Sequence, residues 1–207
     1  MIFSHKLMSN NFTQKDISAI QDFLKRKEKI FTQSKNVLLF EKKWSKWLGI
    51  KYSVFVNSGS SANLISMSVL KILKGKGEVI VPTLTWVSDI ASVLQNNLKP
   101  VFVDINPRNL CMSEKDIMKK VNKKTIAVFL SHIQGFNGLS KNLLNFLNRK
   151  KIFLIEDVCE SHGATFNNKK LGTFGLMSNF SFYYAHHMST IEGGMVCTNS
   201  KKIYEIA

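Results

Sequence analysis

Cysteine is scarce in this chain. Its 207 residues hold three, Cys111, Cys159 and Cys197, an odd number without CxxC spacing, which argues against a disulfide framework and fits a reducing compartment, the cytoplasm. No run of eighteen apolar residues occurs, which argues against a spanning helix and a membrane partner. The opening Met1-Ile-Phe-Ser-His-Lys6 lacks the charged flank and long apolar stretch of a secretory leader. HxxxH pairs and the cysteine-rich spacing of zinc sites are also missing. Acidic side chains number 14 against 29 Lys and Arg, a net charge of +15. Such a field attracts polyanions. The lysines nevertheless fall in short separated groups (Lys25 to Lys27, Lys119 with Lys120, Lys123 with Lys124, Arg149 to Lys151, Lys169 with Lys170), mostly at expected helix ends and loops. With no basic tail and no RNP-like or helix-turn-helix pattern, they read as a solvated surface without a nucleic-acid partner.

What is present is enough for one substantial core, since 44% of the residues are hydrophobic. Thr13-Gln-Lys-Asp16 has the form of a helix cap, followed by Ile17, Ile20 and Leu24 at helical spacing. A second amphipathic helix is expected over 37–48, burying most of Leu39, Phe40, Trp44 and Trp47, with Gly49 as its stop. From Tyr52 strands and helices alternate: strands at 52–56, 78–81, 100–105, 125–130 and 152–155, then near 179–184 and 195–198, with helices at 61–74, 86–96, 113–121 and 139–149. Short, nearly continuous apolar strands separated by helices predict an α/β fold, a three-layer sandwich with a mostly parallel sheet covered on both faces. The expected division is an N-terminal helical segment over 1–50 and a large domain over 51–207.

Ligands of such sheets sit beyond the carboxyl ends of the strands. Asn57-Ser-Gly59-Ser60-Ser-Ala-Asn63 there opens a helix whose amides and dipole suit an anion such as phosphate, although Ser-Gly-Ser is also an ordinary cap. Trp86 places an aromatic ring at the same edge, suited to stacking on a flat ligand. Glu156-Asp157-Val-Cys-Glu160 places carboxylates there, and an acid following Ile-Phe-Leu-Ile calls for a cationic partner. The densest polar cluster is Ser181-Phe-Tyr-Tyr-Ala-His186-His187-Met-Ser-Thr-Ile-Glu192-Gly193-Gly194. Its two histidines admit three readings: a metal pair, a general base with its neighbour, or satisfied core imidazoles. Neighbouring side chains of an extended segment point apart, which counts against one shared metal. An imidazole base near neutral pH is chemically sound.

Taken together, Ser58-Gly-Ser60, Trp86, Ile155-Glu-Asp157, Gly172-Thr-Phe-Gly175 and Ser181 to Gly194 resemble the DegT-type sugar aminotransferases, enzymes of fold type I that use pyridoxal phosphate. The likeness runs from about Asn11 to Asn199. It implies that Asp157 pairs with the pyridine nitrogen of the cofactor, that Gly59, Ser60 and Ser181 bind its phosphate, that Trp86 stacks on its ring, and that Glu160 stands where these enzymes usually have glutamine near the ring hydroxyl. One position departs. Six residues before the glutamate of Glu-Gly-Gly, where the aminotransferases carry the lysine that binds the cofactor covalently, this chain has His186. Imidazole cannot form that bond, and the substitution resembles the 3-dehydratase branch that acts on nucleotide-linked 4-keto-6-deoxyhexoses in lipopolysaccharide and O-antigen biosynthesis. The resemblance implies that pyridoxamine phosphate engages the sugar's 4-keto group and that His186 removes a proton from the cofactor's aminomethyl carbon as the 3-hydroxyl leaves. Glutamate then restores the amine in one type of enzyme; a [2Fe-2S] cluster, in a part beyond this chain, delivers electrons in another. The alternatives are a nucleotide-sugar aminotransferase of the same family and a non-catalytic remnant. Members continue past this point into a smaller C-terminal domain and act as homodimers, so the resemblance implies a truncated large domain with an incomplete substrate site and an exposed apolar face.

Overall fold

The computed structural model describes residues 12–27 and 29–207. The Met1 to Lys6 stretch read above, and Asn11, lie outside them. Helix α1 (Gln14–Lys25) starts at a Thr13 capping box with Asp16, and α2 (Lys35–Leu48) ends at Gly49, whose φ of 89° is the left-handed conformation that glycine adopts without strain. The alternating part follows as β1 (Tyr52–Val56), α3 (Gly59–Lys74), β2 (Glu78–Pro82), α4 (Val87–Gln95), β3 (Lys99–Val103), α5 (Glu114–Lys120), β4 (Thr125–Ser131), α6 (Lys141–Lys150) and β5 (Phe153–Asp157). A two-stranded hairpin that no sequence signal announced, β6 (Thr165–Phe166) with β7 (Lys169–Lys170), precedes β8 (Met177–Ser181), β9 (Gly194–Thr198) and α7 (Lys201–Ile206).

Seven strands form one sheet in the order β1-β9-β8-β5-β4-β2-β3. All neighbours pair in parallel except β9, which runs against both β1 and β8. The expected three-layer α/β sandwich is therefore present. Strand residues alternate between two cores: Ile80, Val128, Leu130 and Leu154 meet Leu143 and Leu147 of α6, while Val79, Val81, Ala127, Phe129 and Ile155 meet Met67 and Leu70 of α3 and Val93 of α4. Each such fully buried side chain contributes about 1.5–3 kcal/mol of transfer free energy.

Three expectations change. The helix expected at 61–74 begins two residues earlier, at Gly59, because Ser58 takes the cap. The strand expected near 179–184 stops at Ser181, since the chain turns there into the loop that carries the histidines. On α2, Trp44 and Leu48 are buried and Phe40 is half-buried, but Leu39 and Trp47 stay 50% and 41% exposed: helical geometry turns one stripe to the sheet and leaves the adjacent one outside. Trp44 packs edge-on against Phe180 and Phe182, which builds α2 into the same core as β8.

Candidate active site

Because every strand of the seven-stranded sheet but β9 points the same way, the carboxyl ends of β1, β5 and β8 face one edge, and Ser58-Gly-Ser60, Asp157 and Ser181 lie there. The Ser58 hydroxyl caps α3 by accepting from Ser61 N–H at 3.1 Å. The amides of Gly59 and Ser60 take no acceptor among the described residues, so they remain open at the positive end of a sixteen-residue helix. Gly59 lies against Ser181: a Cβ built on it would stand 2.6 Å from Ser181 Cβ. A Cβ on Gly194 would stand 2.2 Å from the Ser58 carbonyl oxygen. Both glycines are therefore required by close approach of β1, α3, β8 and β9, and the open amides beside them suit an anion.

Asp157 closes β5. Its Oδ1 accepts from Cys159 N–H at 2.9 Å and its Oδ2 from Asn63 Nδ2 at 3.0 Å. Asn63 cannot turn over, because its own Oδ1 accepts from Asn179 Nδ2 at 2.9 Å while Asn179 Oδ1 accepts from Ser66 Oγ at 2.6 Å. The chain of amides thus fixes the orientation of the carboxylate.

Glu156, one residue earlier, points to the opposite face of the sheet and corrects the expectation of a cationic partner. It is fully buried. Oε1 accepts from the amides of Phe174 at 2.9 Å and Gly175 at 2.6 Å, and Oε2 from the Gly172 amide at 2.8 Å. His132 Nε2 lies 3.2 Å from Oε2, and His132 Nδ1 accepts from Gly138 N–H at 3.2 Å, so the ring is the neutral tautomer that donates through Nε2. Backbone dipoles in place of a lysine or arginine neutralise this charge, and Gly172-Thr-Phe-Gly175 is the turn that supplies them.

The β8–β9 loop carries His186. It is pinned by Thr190 N–H to the Phe182 carbonyl at 3.0 Å, Phe182 N–H to the Gly193 carbonyl at 2.8 Å and His186 N–H to the Tyr183 carbonyl at 3.0 Å. Ile191 has φ of 72°, a conformation costing a β-branched residue about 1–3 kcal/mol, so the loop is held against local preference. The His186 ring is half-buried and lies edge-on to Tyr183, with His162 6.2 Å away between centroids. Burial lowers its pKa, opposed by the Glu160 and Asp157 carboxylates, which act on it electrostatically. The result is an uncharged imidazole near neutral pH, the form of a base. His187 is exposed. Among the described residues no group of three or more His, Cys, Asp or Glu is arranged for a metal ion, and no helix is long and apolar enough to cross a membrane.

Glu160 accepts from Gln134 N–H at 2.9 Å. Trp86, the N-cap of α4, is 68% exposed and makes no ring contact with another described residue. Sequence reasoning missed His162, which is wedged among Trp44, Phe180 and Phe182 with ring centroids 5.6–5.7 Å away. Neither of its buried ring nitrogens has a partner among the described residues, and burial, with His187 and His186 nearby, lowers its pKa to about 3. Its place in Cys159-Glu-Ser-His162-Gly, directly after the acids of β5, was the available signal. Open helix-start amides beside two close-packed glycines and a rigidly held carboxylate fit an anionic heteroaromatic ligand such as pyridoxal phosphate.

The DegT/DnrJ/EryC1/StrS aminotransferase family matches residues 11–207. The GDP-4-keto-6-deoxy-D-mannose 3-dehydratase of Escherichia coli O55:H7 is 36% identical over 99% of this chain and 54% of its own length. The GDP-perosamine synthase of Vibrio cholerae is 37% identical over 85% of the chain and 48% of its own length. The solved structure of the E. coli dehydratase with bound hydrated pyridoxal phosphate superimposes with a TM-score of 0.91 at 37% identity, over 100% of this chain and 54% of that one. The chain spans about half the length of the curated relatives it matches.

Proposed function

The chain belongs to the DegT/DnrJ/EryC1/StrS aminotransferase family, and from that premise we propose that it is the cofactor-binding part of an enzyme that removes the 3-hydroxyl from a nucleotide-linked 4-keto-6-deoxyhexose in deoxysugar biosynthesis. The carrying observation is His186, a half-buried imidazole whose pKa is lowered by burial, in the β8–β9 loop within electrostatic reach of the Glu160 and Asp157 carboxylates. A neutral imidazole accepts a proton and cannot hold an aldehyde covalently. When bound, the pyridoxamine phosphate ring supplies an electron sink.

The chain's own residues then divide the work. Gly59, Ser60 and Ser181 bind the phosphate at the start of α3. Asp157, held by Asn63 and the Cys159 amide, keeps the ring nitrogen protonated. Glu160 would face the ring hydroxyl and Trp86 would stack on the ring. His186 would serve as the base that accepts a proton from the cofactor's aminomethyl carbon as the 3-hydroxyl departs. With glutamate as reductant the net change is loss of one oxygen from the sugar, balanced by formation of 2-oxoglutarate and ammonia. The full-length protein acts as a cytoplasmic homodimer: Ile17, Ile20 and Leu24 on α1 and Leu38 and Leu39 on α2 are exposed, an apolar surface of the kind an interface covers.

The second reading is a sugar 4-aminotransferase, favoured by the likeness to GDP-perosamine synthase. Mass spectrometry of the product separates the two. Incubation with cofactor, glutamate and GDP-4-keto-6-deoxymannose is expected to give a sugar one oxygen lighter; a sugar with the 3-hydroxyl intact and an amine at C4 establishes the aminotransferase instead.

A further inference from the structure

Asp157 has a companion that the reaction above leaves unused. Asp89, in the first turn of α4, is completely buried. Asn63 Nδ2 faces Asp89 Oδ1 at 2.7 Å, Asp157 Oδ2 at 3.0 Å and Ser88 Oγ at 3.0 Å. A side-chain amide has two hydrogens to donate, so it cannot satisfy all three oxygens. The other oxygen of Asp89 accepts from the hydroxyls of Thr85 and Ser131, which lie 2.8 Å from each other. Among the described residues no lysine, arginine or histidine forms an ion pair with either acid.

Two buried carboxylates on one amide, without a cation, cannot both be charged: each pays desolvation and each raises the other's proton affinity. We propose that Asp89 and Asp157 share one proton, that it resides on Asp89, and that the resulting acid donates a hydrogen bond to Asp157. Asp89 is then a positioning residue. It holds the Asp157 anion toward the ring-nitrogen subsite, a role that rests on the cofactor reading given above.

The side that keeps the proton follows from surroundings. Asp157 keeps 8% of its surface exposed and accepts from the Cys159 amide, whereas Asp89 is 0% exposed. Burial and the adjacent Asp157 charge push the Asp89 carboxyl well above the usual carboxylate range, with Ser131 and Thr85 pulling weakly the other way. The other titratable groups around the pair are Cys159, whose thiol is pushed up by burial, Glu160 and His186; α3 and β4 present only the neutral Asn63 and Ser131.

The experiment compares wild type, Asp89→Asn and Asp89→Ala by infrared spectroscopy at pH 7 and by pyridoxal phosphate titration. Wild type should show the C=O stretch of a protonated carboxyl, shifted in deuterium oxide and missing from Asp89→Asn. Asparagine keeps the donor toward Asp157 and the acceptor for Thr85 and Ser131 but cannot accept from Asn63 Nδ2, which lies 2.7 Å from Asp89 Oδ1, so Asp89→Asn should keep its fold and bind pyridoxal phosphate more weakly than wild type but more tightly than Asp89→Ala. Asp89→Ala should bind about tenfold or more weakly, as expected when a hydrogen bond to a charged group is lost. The proposal is overturned if the band is absent from wild type, if it persists in Asp89→Asn, or if Asp89→Asn fails to fold. The band without pyridoxal phosphate binding supports the shared proton and overturns the cofactor reading; binding without the band does the reverse.

Discussion

Glu156 and Asp157 are consecutive residues of one strand, and their surroundings could hardly differ more. Strand geometry sends them to opposite faces. On the α6 side, Glu156 receives three backbone amides and the neutral His132 ring, whose second nitrogen is also occupied. On the α3 side, Asp157 receives one amide and shares Asn63 with Asp89, so that the two hydrogens of that side-chain amide face three oxygens. The first acid is saturated and the second is not. A saturated buried acid stabilises a turn. An unsaturated cluster at the carboxyl ends of parallel strands has hydrogen-bonding capacity left for a ligand.

Substitution at the two acids should separate these roles most strongly. Glu156→Ala leaves three buried amides without an acceptor and is expected to lower stability by about 3–5 kcal/mol in urea unfolding. Asp157→Asn should change stability by about 1 kcal/mol or less, yet weaken pyridoxal phosphate binding by about 1.5–3 kcal/mol, roughly ten- to a hundredfold. If Asp157→Asn unfolds the chain while retaining affinity, the division between the faces is wrong.

A smaller effect comes from His162, whose ring nitrogens have no partner among the described residues. In the fold His162 stays neutral down to about pH 3, whereas in the unfolded chain it takes a proton near 6.5. Between those values the unfolded state binds more protons, so this residue makes stability fall as pH falls. The stability difference between wild type and His162→Phe should therefore change by about 1.4 kcal/mol per pH unit between about pH 6 and 4, to the disadvantage of wild type at the lower pH. A difference independent of pH would mean that the ring finds a partner or water in solution.

Much of this contrast was legible in the residues. The alternation of strands and helices gave the layers, and Ser58-Gly-Ser60 gave the open helix start because its chemistry is local. Asp157 and His186 stood out as polar residues at the ends of apolar strands. The proton-sharing partner did not: an aspartate in the first turn of a helix is an ordinary response to the helix dipole, and only the register of α4 against α3 and β5 brings Asp89 to Asn63. The fate of Glu156 was hidden for a similar reason. Its amide donors lie 16 to 19 residues further on, in a turn whose purpose appears only when the chain has folded back on β5. Side-chain periodicity likewise could not tell that the apolar Leu39 and Trp47 of α2 would remain outside.

An imidazole in the place of a covalent anchor leaves the cofactor untethered, and the mass of the intact chain after incubation with pyridoxal phosphate and borohydride tests this directly. Wild type should bind the cofactor, seen as visible absorbance, yet gain no stoichiometric pyridoxyl group on reduction, whereas His186→Lys should gain one, mapped to residue 186. A stoichiometric adduct on a single lysine of the wild-type chain would contradict the account.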